Sequence, residues 1–170
     1  MFHYIEQGGV IMYILLLANI LSVAIGMWKF FIFQSTKRHL GAIASDLYNE
    51  SKKELLGSKP SFGYIKERIS NYVFGLEKGL DFIKITASTA PLLGLLGTVF
   101  GILAAFETIS QTGLGRPELF AKGIATALIT TAGGLLVAIP NNVIYNYLQG
   151  RLANIEANME NILAPQLGQE

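Results

Sequence analysis

The polar side chains that could move a proton in this chain are few, and they sit in apolar company. Thr98 lies in an uncharged run of 22 residues, 85–106, and Thr126, Thr130 and Thr131 lie in an uncharged run of 26, 123–148. A hydroxyl accepts and donates at once, so neighbouring hydroxyls can hand a proton along, yet they stay neutral while doing so. Groups that titrate are absent from the middle of both runs. Glu107 follows the first of them directly, and Lys29 follows a third uncharged run, 8–28. Ionisable residues at mid-membrane depth mark ion and proton relays. If protons pass here, the titrating carboxylate is therefore expected from another chain.

Other chemistry is poorly supplied. The chain has no cysteine, which removes thiolate nucleophiles, disulfides and Cys-based metal sites. His3 and His39 stand alone, so no metal site is expected. The glycines at 94–101 are not followed by Gly-Lys-Ser/Thr, so they are no phosphate loop. No nucleophile, base and acid fall into a set, and no cofactor is implied. The reading is a non-enzyme.

Composition says what surrounds these groups. Of 170 residues, 51% are hydrophobic and 15% charged, against roughly 25% charged in soluble domains. The net charge of +1 gives no case for nucleic-acid binding. A bilayer core of about 30 Å takes about 20 helical residues. The runs 8–28, 85–106 and 123–148 are each long enough, and the first could extend to Phe33. The fold class expected is an all-α integral membrane protein with three transmembrane helices in contact with the lipid bilayer. Residues 1–9 carry Glu6 and no Lys or Arg, so a cleaved signal peptide is not expected.

Charge placement orients the spans. Nine of the 13 Lys and Arg fall within 37–84: Lys37, Arg38, Lys52, Lys53, Lys59, Lys66, Arg68, Lys78 and Lys84. By the positive-inside rule that segment is cytoplasmic. The N-terminus is then periplasmic, the short connection 111–117 is outside and the C-terminus is cytoplasmic. Trp28, Phe30, Phe31, Tyr145 and Tyr147 fall at the inner interface. The layout divides into 1–36, N-terminus and first span; 37–84, a cytoplasmic helical segment; 85–150, the second and third spans; and 151–170, a cytoplasmic helix and tail.

Apolar periodicity carries the helices past the membrane. Phe62, Ile65, Ile69, Val73, Leu76, Leu80 and Ile83 recur every three or four residues. The pattern predicts one helix from Phe62 to about Ser110, roughly 70 Å at 1.5 Å per residue. Tyr145, Leu148, Leu152, Ile155, Met159 and Ile162 extend the third span until Pro165 stops it. Spans two and three then form a long antiparallel hairpin, with a separate short helix over 38–54, a linker at 57–60 and a peripheral first span.

Within the spans, small residues share faces. Ala87, Pro91, Gly94, Thr98, Gly101 and Ala105 lie on one face of span two, where Gly97 and Gly101 also make a GxxxG pair. Span three offers Thr126, Thr130, Gly133, Gly134 and Val137, with Thr131 beside them and Pro140 interrupting the helix near its inner end. Ala18, Ser22 and Gly26, with Asn19 adjacent, do the same in span one. Such faces let membrane helices approach closely. Spacing alone leaves packing and a polar path both open.

Two motifs carry a resemblance. TAPLLGLLGTVFGI at 89–102 and GIATALITTAGGLLVAIP at 123–140, followed by NNVIYN, resemble the second- and third-helix signatures of the proton-channel subunit family of ExbB, TolQ and MotA. The match covers roughly 85–150, and the earlier residues agree in layout only. The short chain and short external N-terminus are more similar to ExbB than to TolQ. The resemblance implies a homopentamer in the bacterial cell inner membrane whose second and third helices surround a pore. It implies one or two single-span ExbD-type partners there, bringing a proton-carrying aspartate, and coupling to TonB. Thr98 and Thr131 match the pore threonines, with Thr126 and Thr130 beside them. Pro91, Gly94, Gly97, Gly101, Gly133, Gly134 and Pro140 would pack around the partner. Many relatives have glutamate where this sequence has Thr126, so Thr126 takes no carboxylate role. That acid is dispensable, Glu107 substitutes as an outer-mouth acid, or the outer mouth differs. A TolQ-like or MotA-like stator and a passive membrane scaffold are the alternatives.

Overall fold

Lipid offers a backbone no water to bond, so a spanning segment satisfies its own N–H and C=O groups as a helix. The computed structural model describes residues 6–113 and 117–167, and every regular element among them is helical. In order they are α1 (Gly9–Arg38), α2 (Leu40–Glu54), α3 (Phe62–Glu77), α4 (Leu80–Thr112) and α5 (Pro117–Leu167). Three helices are long and apolar enough to cross a membrane: α1, α4 and the Phe120–Pro165 part of α5. His3, Arg116 and the middle of the 111–117 connection lie outside the described residues.

The chain divides into two units. One takes Met1–Ile25 and Phe82–Tyr145, and the other takes Gly26–Asp81 and Asn146–Glu170. In the first unit, Leu15, Ala90, Val137 and Ala138 form a core, with Ile11, Met12 and Leu93 packed on it. Most of its remaining apolar surface is open. Leu92 is 63% exposed, Phe106 65% and Leu136 74%, as expected of side chains that meet lipid or another chain.

The second unit follows soluble-protein rules. Ile65, Ile69 and Val73 of α3 are buried, as are Leu148, Leu152, Ile155, Met159 and Leu163 of α5. These repeat at three and four residues, the amphipathic period that the sequence predicts. The stripe departs from expectation at its ends: Phe62 is exposed, and Leu163 rather than Ile162 is fully buried. Ser61 caps α3 by accepting from the Tyr64 amide at 3.3 Å. Arg68 reaches Glu50 at 3.2 Å and Glu54 at 3.5 Å, tying α3 to α2. The Tyr64 hydroxyl donates to Glu54 at 2.5 Å. That hydrogen bond to a carboxylate holds the proton and raises the phenol above its ordinary pKa. Lys29 donates to the Leu76 carbonyl at 2.8 Å, one of the orphan acceptors that any helix end leaves.

Three expectations are corrected. The helix expected from Phe62 to Ser110 is two helices, α3 and α4, broken at Lys78 and Gly79. Lys78 is non-helical (ψ 126°) and Gly79 takes φ +96°, a conformation that glycine alone adopts cheaply. Pro140 does not interrupt α5, which runs unbroken through it. Pro165 does not stop α5 either, because the helix continues to Leu167. A proline removes one N–H and hence one bond to the carbonyl four residues earlier. At Pro165 the loss falls in the last turn. At Pro140 the neighbouring bonds and packing carry the helix past the gap.

Glycines sort by what faces them. A methyl group at Gly134 would sit 2.6 Å from the Ala90 carbonyl oxygen, whereas one at Gly150 meets nothing within 4 Å. Gly134→Ala should therefore destabilise the chain by about 1–3 kcal/mol through overpacking. Gly150→Ala should stabilise it by about 0.5–1 kcal/mol through the helix interior's preference for Ala. Thermal unfolding in detergent, followed by circular dichroism, checks the opposite signs.

Candidate functional site

The site grows from the contact between α4 and α5. Their small residues meet in pairs. A methyl group at Gly101 would sit 2.7 Å from the Gly123 carbonyl oxygen, and one at Gly97 would sit 2.5 Å from Thr130 Oγ1. At Gly94 it would meet the Thr130 carbonyl at 2.8 Å. The partners rise in number along α5 as they fall along α4. At Gly94 and Gly101 the opposing atom is backbone and at Gly97 it is the Thr130 side chain, and none of the three leaves room for a Cβ.

That closeness lets hydroxyls reach across. Thr98 Oγ1 lies 3.1 Å from the Ala127 carbonyl of α5, and Thr131 Oγ1 lies 3.3 Å from the Gly94 carbonyl of α4. The two hydroxyls also hydrogen-bond to each other, and each could be the donor. Thr98 has its own-helix acceptor as well, Gly94, at 3.3 Å. Each hydroxyl owns one proton and has more acceptors in reach than it can serve. Both residues remain partly exposed.

The other two threonines point elsewhere. Thr130 is 1% exposed and donates within α5, to Ala127 at 2.9 Å or Thr126 at 3.1 Å. Thr126 and Thr130 line a cleft of about 620 Å³ with Gly8 and Ile11, Gly97 and Gly101 of α4, and Lys122 and Gly123 of α5. Thr98 and Thr131 do not line it. The structure thus joins Thr98 with Thr131 and separates this pair from Thr126 and Thr130, so the four do not form one row within a chain.

The remaining predicted positions fall as follows. Gly94, Gly97, Gly101 and Gly134 are used up by the α4–α5 contact, and Gly133 faces Met12 of α1, whose sulfur would be 2.6 Å from an added methyl. These glycines therefore pack helices of the same chain. The surface open to a further chain is the exposed flank that includes Leu92, Leu95, Leu128 and Leu135. Pro91 is inside α4 and half-buried, and Pro140 is exposed on α5. Glu107 is exposed and lies 3.5 Å from Gln111 Nε2. Among the described residues no cluster of three His, Asp or Glu side chains could hold a metal ion.

One buried group was not legible in the spacing. Asn141 is completely buried, and so is Ser22. Ser22 donates to Asn141 Oδ1 at 2.6 Å, and Asn141 Nδ2 donates to Asn19 Oδ1 at 2.9 Å and to the Val137 carbonyl at 2.7 Å. The amide is fully served by three partners and clamps α1 to α5. Its signal was an Asn beside a proline in one apolar run, and a Ser and an Asn three apart in another.

The packed face that carries the hydroxyl pair is built from residues 89–102 and 123–146, and the comparison with known families falls on the same stretch. The model of the MotA/TolQ/ExbB proton channel family matches residues 59–161. The chain belongs to this family. The match reaches well beyond 85–150 and takes in α3 and most of the distal part of α5. Biopolymer transport protein ExbB of Aquifex aeolicus is 48% identical over 73 residues, 43% of this chain and 49% of that protein. Its namesake in Salmonella typhimurium is 34% identical over 140 residues, 74% of this chain and 56% of that protein. Tol-Pal system protein TolQ of Haemophilus influenzae is 42% identical over 88 residues, 52% of this chain and 39% of that protein. The chain spans about half the length of the curated relatives it matches. Family and apolar helices together make it an ExbB-like membrane protein.

Asn141→Ala leaves Ser22 and Asn19 without their partner. Interhelical hydrogen bonds in membranes are worth about 0.6–1.7 kcal/mol, so the variant should lose about 1–2 kcal/mol of stability in detergent. Asn142→Ala, at an exposed neighbour, should lose less. Equal losses would show that the clamp holds nothing.

Proposed function

We propose that this chain is an ExbB-like subunit of a proton-driven motor in the bacterial inner membrane. In this reading several copies, five by family resemblance, surround an axis with α4 and α5. A single-span ExbD-type helix on that axis brings the titrating carboxylate, and the assembly energises TonB-dependent outer-membrane transport. The N-terminus is periplasmic, residues 37–84 and 151–170 lie in the cytoplasm, and 85–150 form the membrane part of a long α4–α5 hairpin. The protein transmits force and protons and catalyses no covalent reaction.

The observation that carries the reading is the Thr98–Thr131 pair. It is a cross-helix hydroxyl relay, partly open, in spans that carry no acid of their own. Such a relay can pass a proton only to and from a group that titrates. A facing helix with one carboxylate supplies that need. One ExbB relative is 48% identical and another covers 74% of the chain, against 42% and 52% for the TolQ relative, which supports the ExbB role.

Thr98→Val with Thr131→Val keeps the shape and removes both hydroxyls. In the complex co-purified with its single-span partner and placed in liposomes, proton flux should fall at least tenfold. TonB-dependent uptake in cells should fall with it. Thr98→Ser with Thr131→Ser should keep both activities. Wild-type flux in the valine variant would sink the relay, and a chain that stays monomeric and captures no partner would favour a passive scaffold. A partner belonging to the Tol system would move the chain to the TolQ role.

A further inference from the structure

The C-terminal end of α1 and the distal part of α5 bring three cations together beyond the apolar runs. Two clefts share Lys37 and Arg151. One, of about 380 Å³, is completed by Gln34 and Arg38. The other, of about 480 Å³, adds Asn154 and Asn158 and the apolar side chains of Phe33 and Leu40. No carboxylate lines either cleft. Among the described residues, none stands within ion-pair distance of Lys37, Arg38 or Arg151. Like charges gathered without an acid repel one another, so the arrangement favours an anion. Lys37 and Arg38 sit in the last turn of α1, where the helix dipole favours cations. That accounts for two of the three. It does not account for Arg151, which comes from the interior of α5.

Arg151 is also held in place. Its Nε and Nη2 donate to the Tyr147 hydroxyl at 2.9 and 2.6 Å, and its guanidinium carbon stands 5.2 Å from the ring centre. The Tyr147 ring stacks on Phe30 with 6.3 Å between centres, and Phe30 meets Phe31 edge-on at 6.0 Å. Two of the guanidinium's N–H groups serve Tyr147, and the rest remain for a ligand. Depth agrees from both helices. Lys37 follows Phe33, the last apolar residue of α1, by about 6 Å along the axis. Arg151 follows Leu148, where the run 123–148 ends, by about 4.5 Å. The headgroup layer beyond the hydrocarbon core is about 5–8 Å thick on each side. Trp28 and Phe31, each 66% exposed, stand just inside that level, as interfacial rings do.

We propose that Lys37, Arg38 and Arg151 form a binding site for the phosphate of an anionic phospholipid headgroup, where α1 and α5 leave the bilayer. Arg151 presents its free N–H groups to the phosphate oxygens, which a planar fork of donors suits. Lys37 and Arg38 supply further charge, and the Asn154 and Asn158 amides serve the polar part of the headgroup. The acyl chains run toward the exposed rings of Phe31 and Trp28. Those rings single out a lipid, because a soluble phosphate ester has no use for an apolar border. The site needs α1 and α5 to cross the bilayer but does not need the hydroxyl relay, so either can fail alone.

Trp28 is the chain's single tryptophan and reports the test. The full chain is reconstituted in phosphatidylcholine bilayers that contain either brominated phosphatidylglycerol or brominated phosphatidylcholine. Quenching of Trp28 gives the preference between the two. A cation near an anionic surface is worth about fivefold, so the wild-type chain should prefer phosphatidylglycerol about tenfold or more. Lys37→Gln with Arg38→Gln and Arg151→Gln should abolish the preference. Lys52→Gln with Lys53→Gln and Lys59→Gln removes the same charge elsewhere and should leave it intact. Tyr147→Phe keeps the ring, frees the guanidinium and should lower the preference about threefold; an unchanged preference there would overturn the positioning of Arg151 by Tyr147. A wild-type chain without preference refutes the site. So does an equal loss in both triple variants, because net charge alone then sets the preference. Relief of quenching by millimolar glycerol 3-phosphate would give the site to a soluble anion and overturn the lipid.

Discussion

Everything particular to the membrane unit depends on how closely α4 and α5 approach. Between helices in lipid there is little hydrophobic drive, because acyl chains are as apolar as leucine. Association rests on contact and on hydrogen bonds. Here Gly94, Gly97, Gly101, Gly123 and Gly134 remove the side chains that would keep the backbones apart. Ordinary helices pack at about 8–10 Å between axes, depending on the side chains at the contact. The glycine seam closes the gap, and only then do Thr98 and Thr131 find carbonyls across it. The hydroxyl pair is thus a consequence of the seam.

α1 is attached by different means. Met12 fills the space over Gly133, and Asn141 binds Ser22 and Asn19. An amide with an unserved N–H or C=O in an apolar interior is expensive, so every atom of this group has a partner. The clamp sets α1 against α5 in register. Among the described residues, α4 meets α5 through the Thr98 and Thr131 hydroxyls and through Lys84 over the Tyr145 ring. Of the three spanning helices, α1 and α5 are joined by side-chain chemistry, and α4 is joined mainly by shape.

The contrast explains which features could be read before the structure. Length without charge located the three spans, and the apolar period located the buried stripes of α3 and α5, because both depend on residues near in sequence. The break at Gly79 was hidden, since a glycine inside an unbroken apolar period looks the same whether its φ is helical or positive. Pro140 and Pro165 looked like stops because proline's local penalty is legible while the surrounding packing that outweighs it is not. Spacing put glycines on faces without saying what faces them, so glycines expected to receive another chain turned out to pack their own. Asn141 and Ser22 lie 119 residues apart, and no periodicity links them. The division of the threonines into an open pair and a cleft pair has the same origin, because it depends on which side of the seam each residue falls.

The hydroxyl pair also limits what this chain can do alone. Thr131 can donate to Thr98 while Thr98 donates to Ala127, or Thr98 can donate to Thr131 while Thr131 donates to Gly94. Both arrangements use two protons and satisfy both oxygens. Passing between them shifts hydrogens by a rotation and moves no net charge. A neutral relay with two balanced orderings has no preferred direction and stores no proton. Direction and charge must enter from a group that titrates near neutral pH, and the three uncharged runs contain no Asp, Glu or His. The proposed carboxylate from a partner chain agrees with that proton count as well as with the resemblance.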